Sequence, residues 1–272
     1  MGDAMSKANA ANGRAVTVHR EGAVAEVVLN RPARRNALSL EMLGALHEAL
    51  SGVGDDPDVR AVILGAEGPV FSSGHDLREI AEGDEAVHVR VFDACAEVML
   101  LVHRIPKPVI ARVQGVATAA GCQLVAACDL AVASEAATFA TPGVRIGLFC
   151  TTPMVEVARS VGRARAMEML LTGDPIDAAT ALAWGLVNRV VPHDRLHDAA
   201  DTLARRVATA SAETLAIGKP AVAENLDLPL EEAYRHASAV MTRNAGTADA
   251  REGMEAFLGK RDPVWSHGRR PA

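Results

Sequence analysis

Residues 109–129 read VIARVQGVATAAGCQLVAACD, and this stretch decides the fold. Val109 to Val113 follow Pro106 and Pro108 and are largely β-branched and apolar, the pattern of a short buried strand. Gly115 interrupts it. From Ala117 to Gly121 almost no side chain is present, and a helix follows that packs through Leu124, Val125 and Cys128. The first N–H groups of a helix have no intrahelical partner and carry the positive end of its dipole. An entry stripped of side chains lets another backbone or a ligand reach them, which sets the Ala120 N–H to meet an anionic oxygen. Close helix–strand packing through small residues accounts for the same composition.

A second loop favours the ligand. Residues 69–76, PVFSSGHD, follow the apolar strand pattern VRAVIL of residues 59–64 and contain another glycine turn. One donor after Gly74, at His75, and one at Ala120 would together make an oxyanion hole.

At this point the chain resembles the crotonase (enoyl-CoA hydratase/isomerase) superfamily. The residues that carry the resemblance are Asn30-Arg-Pro, Asn36-Ala-Leu-Ser, Phe71-Ser-Ser-Gly-His-Asp, Ala119-Ala-Gly-Cys-Gln, Cys128-Asp, Phe139-Ala-Thr-Pro-Gly, Ile146-Gly, Ala166-Met-Glu-Met-Leu-Leu-Thr-Gly and Trp184-Gly-Leu-Val. None is specific alone, but the ordered set from about Val16 to Trp265 is. The strings FSSGHDL, FATPGV and the terminal KRDPVWSH narrow it to one subgroup. The resemblance implies an α/β fold, a spiral of ββα units with a helical C-terminal region. It also implies a coenzyme A thioester as substrate or ligand, no separate cofactor, and homotrimers often paired into hexamers.

Composition agrees with a globular protein. The 272 residues suffice for one large core, and 49% hydrophobic content with mixed charge argues against disorder. A net charge of −6 and only 5 Phe, 2 Trp and 1 Tyr leave neither a phosphate-neutralising excess nor a stacking platform, which excludes nucleic acid as a partner. No apolar run reaches membrane-spanning length. Residues 1–13 are small and polar, read as a disordered tail without a targeting signal, and make cytosol the expected location. Cys95, Cys122, Cys128 and Cys150 lack paired spacing and read as reduced packing residues rather than metal ligands.

In chain order, residues 15–29 alternate about Glu21-Gly22 and predict a hairpin. Ser39 can cap a helix over residues 40–53. The resemblance implies that the intervening loop, with Ala37 and Leu38, contacts coenzyme A through its backbone. Arg31, Arg34 or Arg35 is the candidate for its phosphates, since guanidinium suits phosphate; a solvated basic turn is the alternative. Ser73, His75, Asp76 and Leu77 complete this side of the implied site, Asp76 mainly as a residue that holds its loop. Val87, Val91, Cys95, Val98 and Val102 recur at helical spacing; the resemblance implies that this helix, with residues 77–84 ahead of it, covers the acyl pocket. Strand patterns at residues 130–133 and 186–191 frame helices over residues 151–161, 163–171 and 177–184. Residues 194–209, 212–224, 230–243 and 247–258 are helical without further strands. The domain reading is therefore a core over residues 14–210 and a helical region over residues 211–272, which the resemblance implies is the oligomerisation region. By family analogy Phe257 and Lys260 reach a neighbouring subunit's coenzyme A; an ordinary amphipathic helix with a solvated lysine is the alternative.

The chemistry implied by the resemblance needs two glutamates. Here the first position is Gln123 and the second is Gly143, while the further carboxylate position of dienoyl-CoA isomerases is Thr151. Gln123 can orient water but cannot exchange a proton at neutral pH, and Gly143 is expected to leave open space. Three readings follow: an enzyme with the oxyanion hole and an unusual base, such as His75, a water or a small anion; an acyl-CoA-binding regulatory protein; or a hydratase by ancestry with residual activity.

Overall fold

The computed structural model describes residues 13–268; apart from Gly13, the tail expected over residues 1–13 lies outside them. Strands β1 (Val16–Glu21) and β2 (Val24–Leu29) form the expected antiparallel hairpin. A loop leads to α1 (Leu40–Asp55), whose first turn is capped by the Ser39 hydroxyl accepting the Met42 N–H at 3.2 Å. Then come β3 (Ala61–Ala66), β4 (Val70–Ser72), α2 (Leu77–Glu82) and α3 (Glu85–Arg104). The central unit is β5 (Val109–Val113), β6 (Val116–Thr118) and α4 (Ala120–Ala127). It is followed by β7 (Leu130–Ser134), β8 (Thr138–Ala140), a 3-10 turn over Pro142–Ile146, α5 (Thr151–Val161) and α6 (Arg163–Thr172). A two-residue β9 (Ile176–Asp177), α7 (Ala178–Trp184), β10 (Arg189–Val191) and four helices complete the chain: α8 (Leu196–Ala208), α9 (Ala212–Asn225), α10 (Leu230–Ala245) and α11 (Ala248–Leu258).

Two sheets run side by side. One has the order β1-β2-β3-β5-β7-β10, the other β4-β6-β8-β9. Each successive ββα unit adds one parallel strand to each sheet, so β3, β5 and β7 are neighbours in the first as β4, β6 and β8 are in the second. That repetition is the spiral. The first sheet is covered on both faces, which explains why β3 is apolar throughout rather than alternating. Val62 and Leu64 face the main core with Leu46, Phe71 and Val98. Ala61 and Ile63 face a second cluster built with Leu196, Ala200 and Leu203 of α8.

Three expectations shift. The strand read at residues 59–64 forms two residues later, and that read at residues 186–191 keeps only its second half. There Gly185 ends α7 at φ +87°, and the Leu186 N–H turns back to the Ala181 carbonyl at 2.9 Å. The small-residue run at Ala117 does not lead straight into a helix, because Val116–Thr118 first pairs with β4 and β8. Strands of three residues are too short to show a period. Among the described residues no helix is long and apolar enough to cross a membrane.

The C-terminal helices are tied to the core by Lys219 of α9. Its ammonium donates to the Val102 carbonyl at 2.6 Å and the Lys107 carbonyl at 2.8 Å, and pairs with Asp129 at 2.7 Å.

Candidate functional site

The entry of α4 has little side-chain bulk because two backbones press on it. Gly74, at φ +83°, lies so close that a Cβ there would fall 2.9 Å from the Thr118 carbonyl oxygen and 3.2 Å from the Ala120 nitrogen. A Cβ on Gly121 would fall 2.5 Å from the Ser72 carbonyl oxygen. The loop 72–75 is thus seated on the first turn of α4, which brings the backbone of His75 beside that of Ala120. The His75 N–H takes no backbone acceptor among the described residues. Ala120 is the first residue of α4, where the amide has no intrahelical partner. The residue before it, Ala119, holds φ 50° and ψ −120°, a conformation costly for a residue with a Cβ. Its N–H is fixed to the Ala140 carbonyl at 2.9 Å, so β8 holds the strained turn in place.

The loop before α1 reaches the same place. Leu38 bridges to His75 in parallel and its N–H donates to the Gly74 carbonyl at 2.8 Å; the Ser73 N–H donates to the Arg35 carbonyl at 3.0 Å. Asn36 organises this loop. It is fully buried at φ 49°, and its side-chain amide donates to the carbonyls of Glu67 at 2.9 Å and Val70 at 2.8 Å. Its side-chain oxygen accepts the Arg31 N–H at 2.8 Å, and its carbonyl accepts the Ser72 hydroxyl at 2.8 Å. Sequence reading gave Asn36 no role. The available signal was its type, because Asn tolerates left-handed backbone and bonds locally.

Of the coenzyme A candidates, Arg31, Arg34, Ala37 and Asp76 line one cavity of about 270 Å³ with Ser39 and Glu41. Arg31 is engaged with Glu41 at 2.8 Å, whereas Arg34 is largely exposed, 3.9 Å from Asp76. Asp76 caps α2 by accepting the Arg78 N–H at 3.0 Å. Arg35, Phe257 and Lys260 do not line this cavity, and Phe257 is 83% exposed at the end of α11. Leu77 is exposed at the start of α2.

The two acid positions differ from each other. Gln123 is buried, and its side-chain oxygen has no partner among the described residues. Gly143 is not the open space expected of it. A Cβ there would fall 2.0 Å from the Leu148 carbonyl oxygen and 2.8 Å from the Cys150 sulfur. The chain after the 3-10 turn folds back, the Leu148 N–H donates to the Gly143 carbonyl at 2.9 Å, and this segment fills the place. Thr151 is exposed at the start of α5. The half-buried His75 packs its ring edge-on to Phe92, with centroids 5.2 Å apart, and desolvation lowers its pKa to about 4. All four cysteines are free, and burial pushes the thiols of Cys95 and Cys122 up to about 12. Among the described residues no cluster of three His, Cys, Asp or Glu side chains is arranged to hold a metal ion.

The ββα spiral and the seated glycine loops define a class. A model of the family described as enoyl-CoA hydratase/isomerase matches residues 19–268, and the chain belongs to that family. Within it, the chain is similar to enoyl-CoA hydratase domain-containing protein 3, mitochondrial. Identity to the rat protein is 47% over 256 residues, covering 93% of this chain and 85% of the relative. To the human protein it is 48% over 245 residues, covering 90% and 81%. The crystal structure of the human protein superposes with a TM-score of 0.90 at 46% identity, covering 93% of this chain and all of that one. A crystal structure of enoyl-CoA hydratase from Mycobacterium smegmatis gives 0.89 at 45% identity, covering 92% and 98%. The expected cytosolic location is overturned by these relatives, since the rat, zebrafish and human proteins are all named as mitochondrial.

Proposed function

We propose that the protein binds an acyl-CoA thioester with the thioester oxygen between the N–H groups of His75 and Ala120, where a developing enolate is stabilised. The observation that carries this reading is the seating of Gly74 against the Ala120 nitrogen, which brings two backbone donors together at a glycine-lined turn. The polar cavity at Arg31, Arg34, Ala37 and Asp76 supports a coenzyme A headgroup nearby. Oxyanion donors are worth about 3–4 kcal/mol each in transition-state stabilisation, and they depend on backbone rather than side-chain identity. Isothermal calorimetry with butyryl-CoA tests the reading: saturable one-site binding is expected, and no heat up to millimolar ligand would refute it.

A second reading, acyl-CoA binding without turnover, is favoured by Gln123 and by the filled place at Gly143. Each positioned acid or base contributes about 10²–10⁴-fold to rate, and both glutamates are absent. Conventional hydration of crotonyl-CoA is therefore slow or absent; rapid loss of the enoyl absorbance would refute that expectation. Residues 211–272 are proposed as the oligomerisation region of a homotrimer or hexamer. An apolar groove of about 610 Å³ between α9 and α10 supports this, with Leu226, Leu230 and Met241 on its walls and all three largely exposed. Light scattering at micromolar concentration decides it, and a mass near 28.5 kDa would refute it.

A further inference from the structure

Three residues of the segments that meet around α4 each carry a buried polar side-chain atom with no hydrogen-bond partner among the described residues: Nε2 of His75, Oε1 of Gln123 and Oγ1 of Thr141. They come from three elements that meet at the entry of α4. His75 follows Gly74, which is seated on Ala120. Gln123 lies one turn into α4, with its N–H on the Ala119 carbonyl at 3.0 Å. Thr141 follows Ala140, whose carbonyl receives the Ala119 N–H. Buried polar groups are almost always partnered, so a group of orphans calls for a ligand or a chemical role. Of the three, only the imidazole carries a nitrogen that can take up a proton as a base.

We propose that the imidazole of His75 is the base that removes the α-proton of the bound acyl-CoA, taking the place of the glutamates absent at Gln123 and Gly143. This rests on the acyl-CoA reading above. In the step, an imidazole nitrogen takes the proton from Cα. The C–H electron pair becomes the Cα=C bond of the enolate, and the carbonyl pair moves onto the thioester oxygen between the two N–H groups. Return of the proton from the imidazolium regenerates thioester and neutral imidazole, so no co-reactant is consumed.

Burial keeps the ring neutral, and so able to accept a proton, at pH 7. With a pKa of about 4 the ring is as basic as an ordinary glutamate and is neutral at pH 7. A glutamate becomes neutral as the enolate forms. The imidazole instead becomes cationic, so opposite charges appear together in a desolvated site where their attraction is strong. The Gln123 side-chain oxygen, an acceptor lacking a donor, favours positive charge in its surroundings. Phe92, whose ring plane lies at 87° to that of His75, sets the orientation of the imidazole.

The experiment follows the α-protons of butyryl-CoA in D₂O by proton NMR with the full-length chain. Wild type is expected to exchange them at least about 100-fold faster than solution without protein. His75→Gln keeps the backbone N–H and should lose about 100-fold or more of that rate, while its affinity for butyryl-CoA by calorimetry changes less than about threefold. His75→Asn serves as the second variant should the glutamine chain not fold. Exchange by the variant at the wild-type rate would overturn the proposal, as would a wild type that binds butyryl-CoA without exchanging it. Absence of binding would overturn the acyl-CoA reading and this proposal with it.

Discussion

Replacing Gly143 by alanine tests whether the second acid position is closed. The added Cβ would fall 2.0 Å from the Leu148 carbonyl oxygen, well inside van der Waals contact, and 2.8 Å from the Cys150 sulfur. The oxygen belongs to backbone and cannot swing aside as a flexible side chain would. To make room, the segment from Gly147 to Cys150 must move and the Leu148 N–H must leave the Gly143 carbonyl, now 2.9 Å away. Overpacking costs about 1–3 kcal/mol and the lost hydrogen bond about 1 kcal/mol, so Gly143→Ala should lose about 2–4 kcal/mol of stability. Positive φ is not the cause, because Gly143 is absent from the left-handed glycines. Equilibrium urea unfolding reads the loss as a lower midpoint at an unchanged slope. A variant within about 0.5 kcal/mol of wild type would refute the reasoning and show that the loop yields freely. The same geometry implies that Gln123→Glu with Gly143→Glu destabilises the chain before it can restore hydration.

Further expectations concern buried ionisable groups. Lys219→Met removes one ammonium from two carbonyls and from Asp129, all within 2.8 Å. It should cost about 3 kcal/mol, because the acceptors stay behind without their partner; a change below about 1 kcal/mol in thermal or urea unfolding would show the latch to be dispensable. His75 resists protonation in the folded state down to about pH 4, against 6.5 for an ordinary imidazole. The unfolded chain therefore binds the extra proton between those values, and stability falls as pH drops through that window by about 3 kcal/mol. His75→Gln should remove this part of the acid sensitivity, and identical stability–pH curves for variant and wild type between pH 7 and 4 would contradict it.

Ser39 shows how far local chemistry reaches: its hydroxyl can cap a helix starting at Leu40 whatever lies elsewhere, and it does. The hairpin at Gly22, the uniformly apolar β3 and the helix stops at Gly173 and Gly185 are of the same kind. Each depends on a residue's own backbone preference or on burial of its own face. The short strands β4, β6 and β9 were not legible, because two or three residues carry no period and exist as strands only when neighbours pair with them.

The site divides along the same line. The sequence by itself determined which residue types are present: glycine and alanine around the amides of His75 and Ala120, and Gln123 and Gly143 at the positions where the resemblance implies acids. Only the tertiary structure decided what surrounds them. Asn36 joins segments more than 30 positions apart, the Leu148 carbonyl fills the place at Gly143, and burial alone moves the His75 pKa. Those effects arise from groups distant in the chain but packed within a few ångströms. Hydrogen bonding, steric exclusion and desolvation act over such distances and take no account of sequence separation.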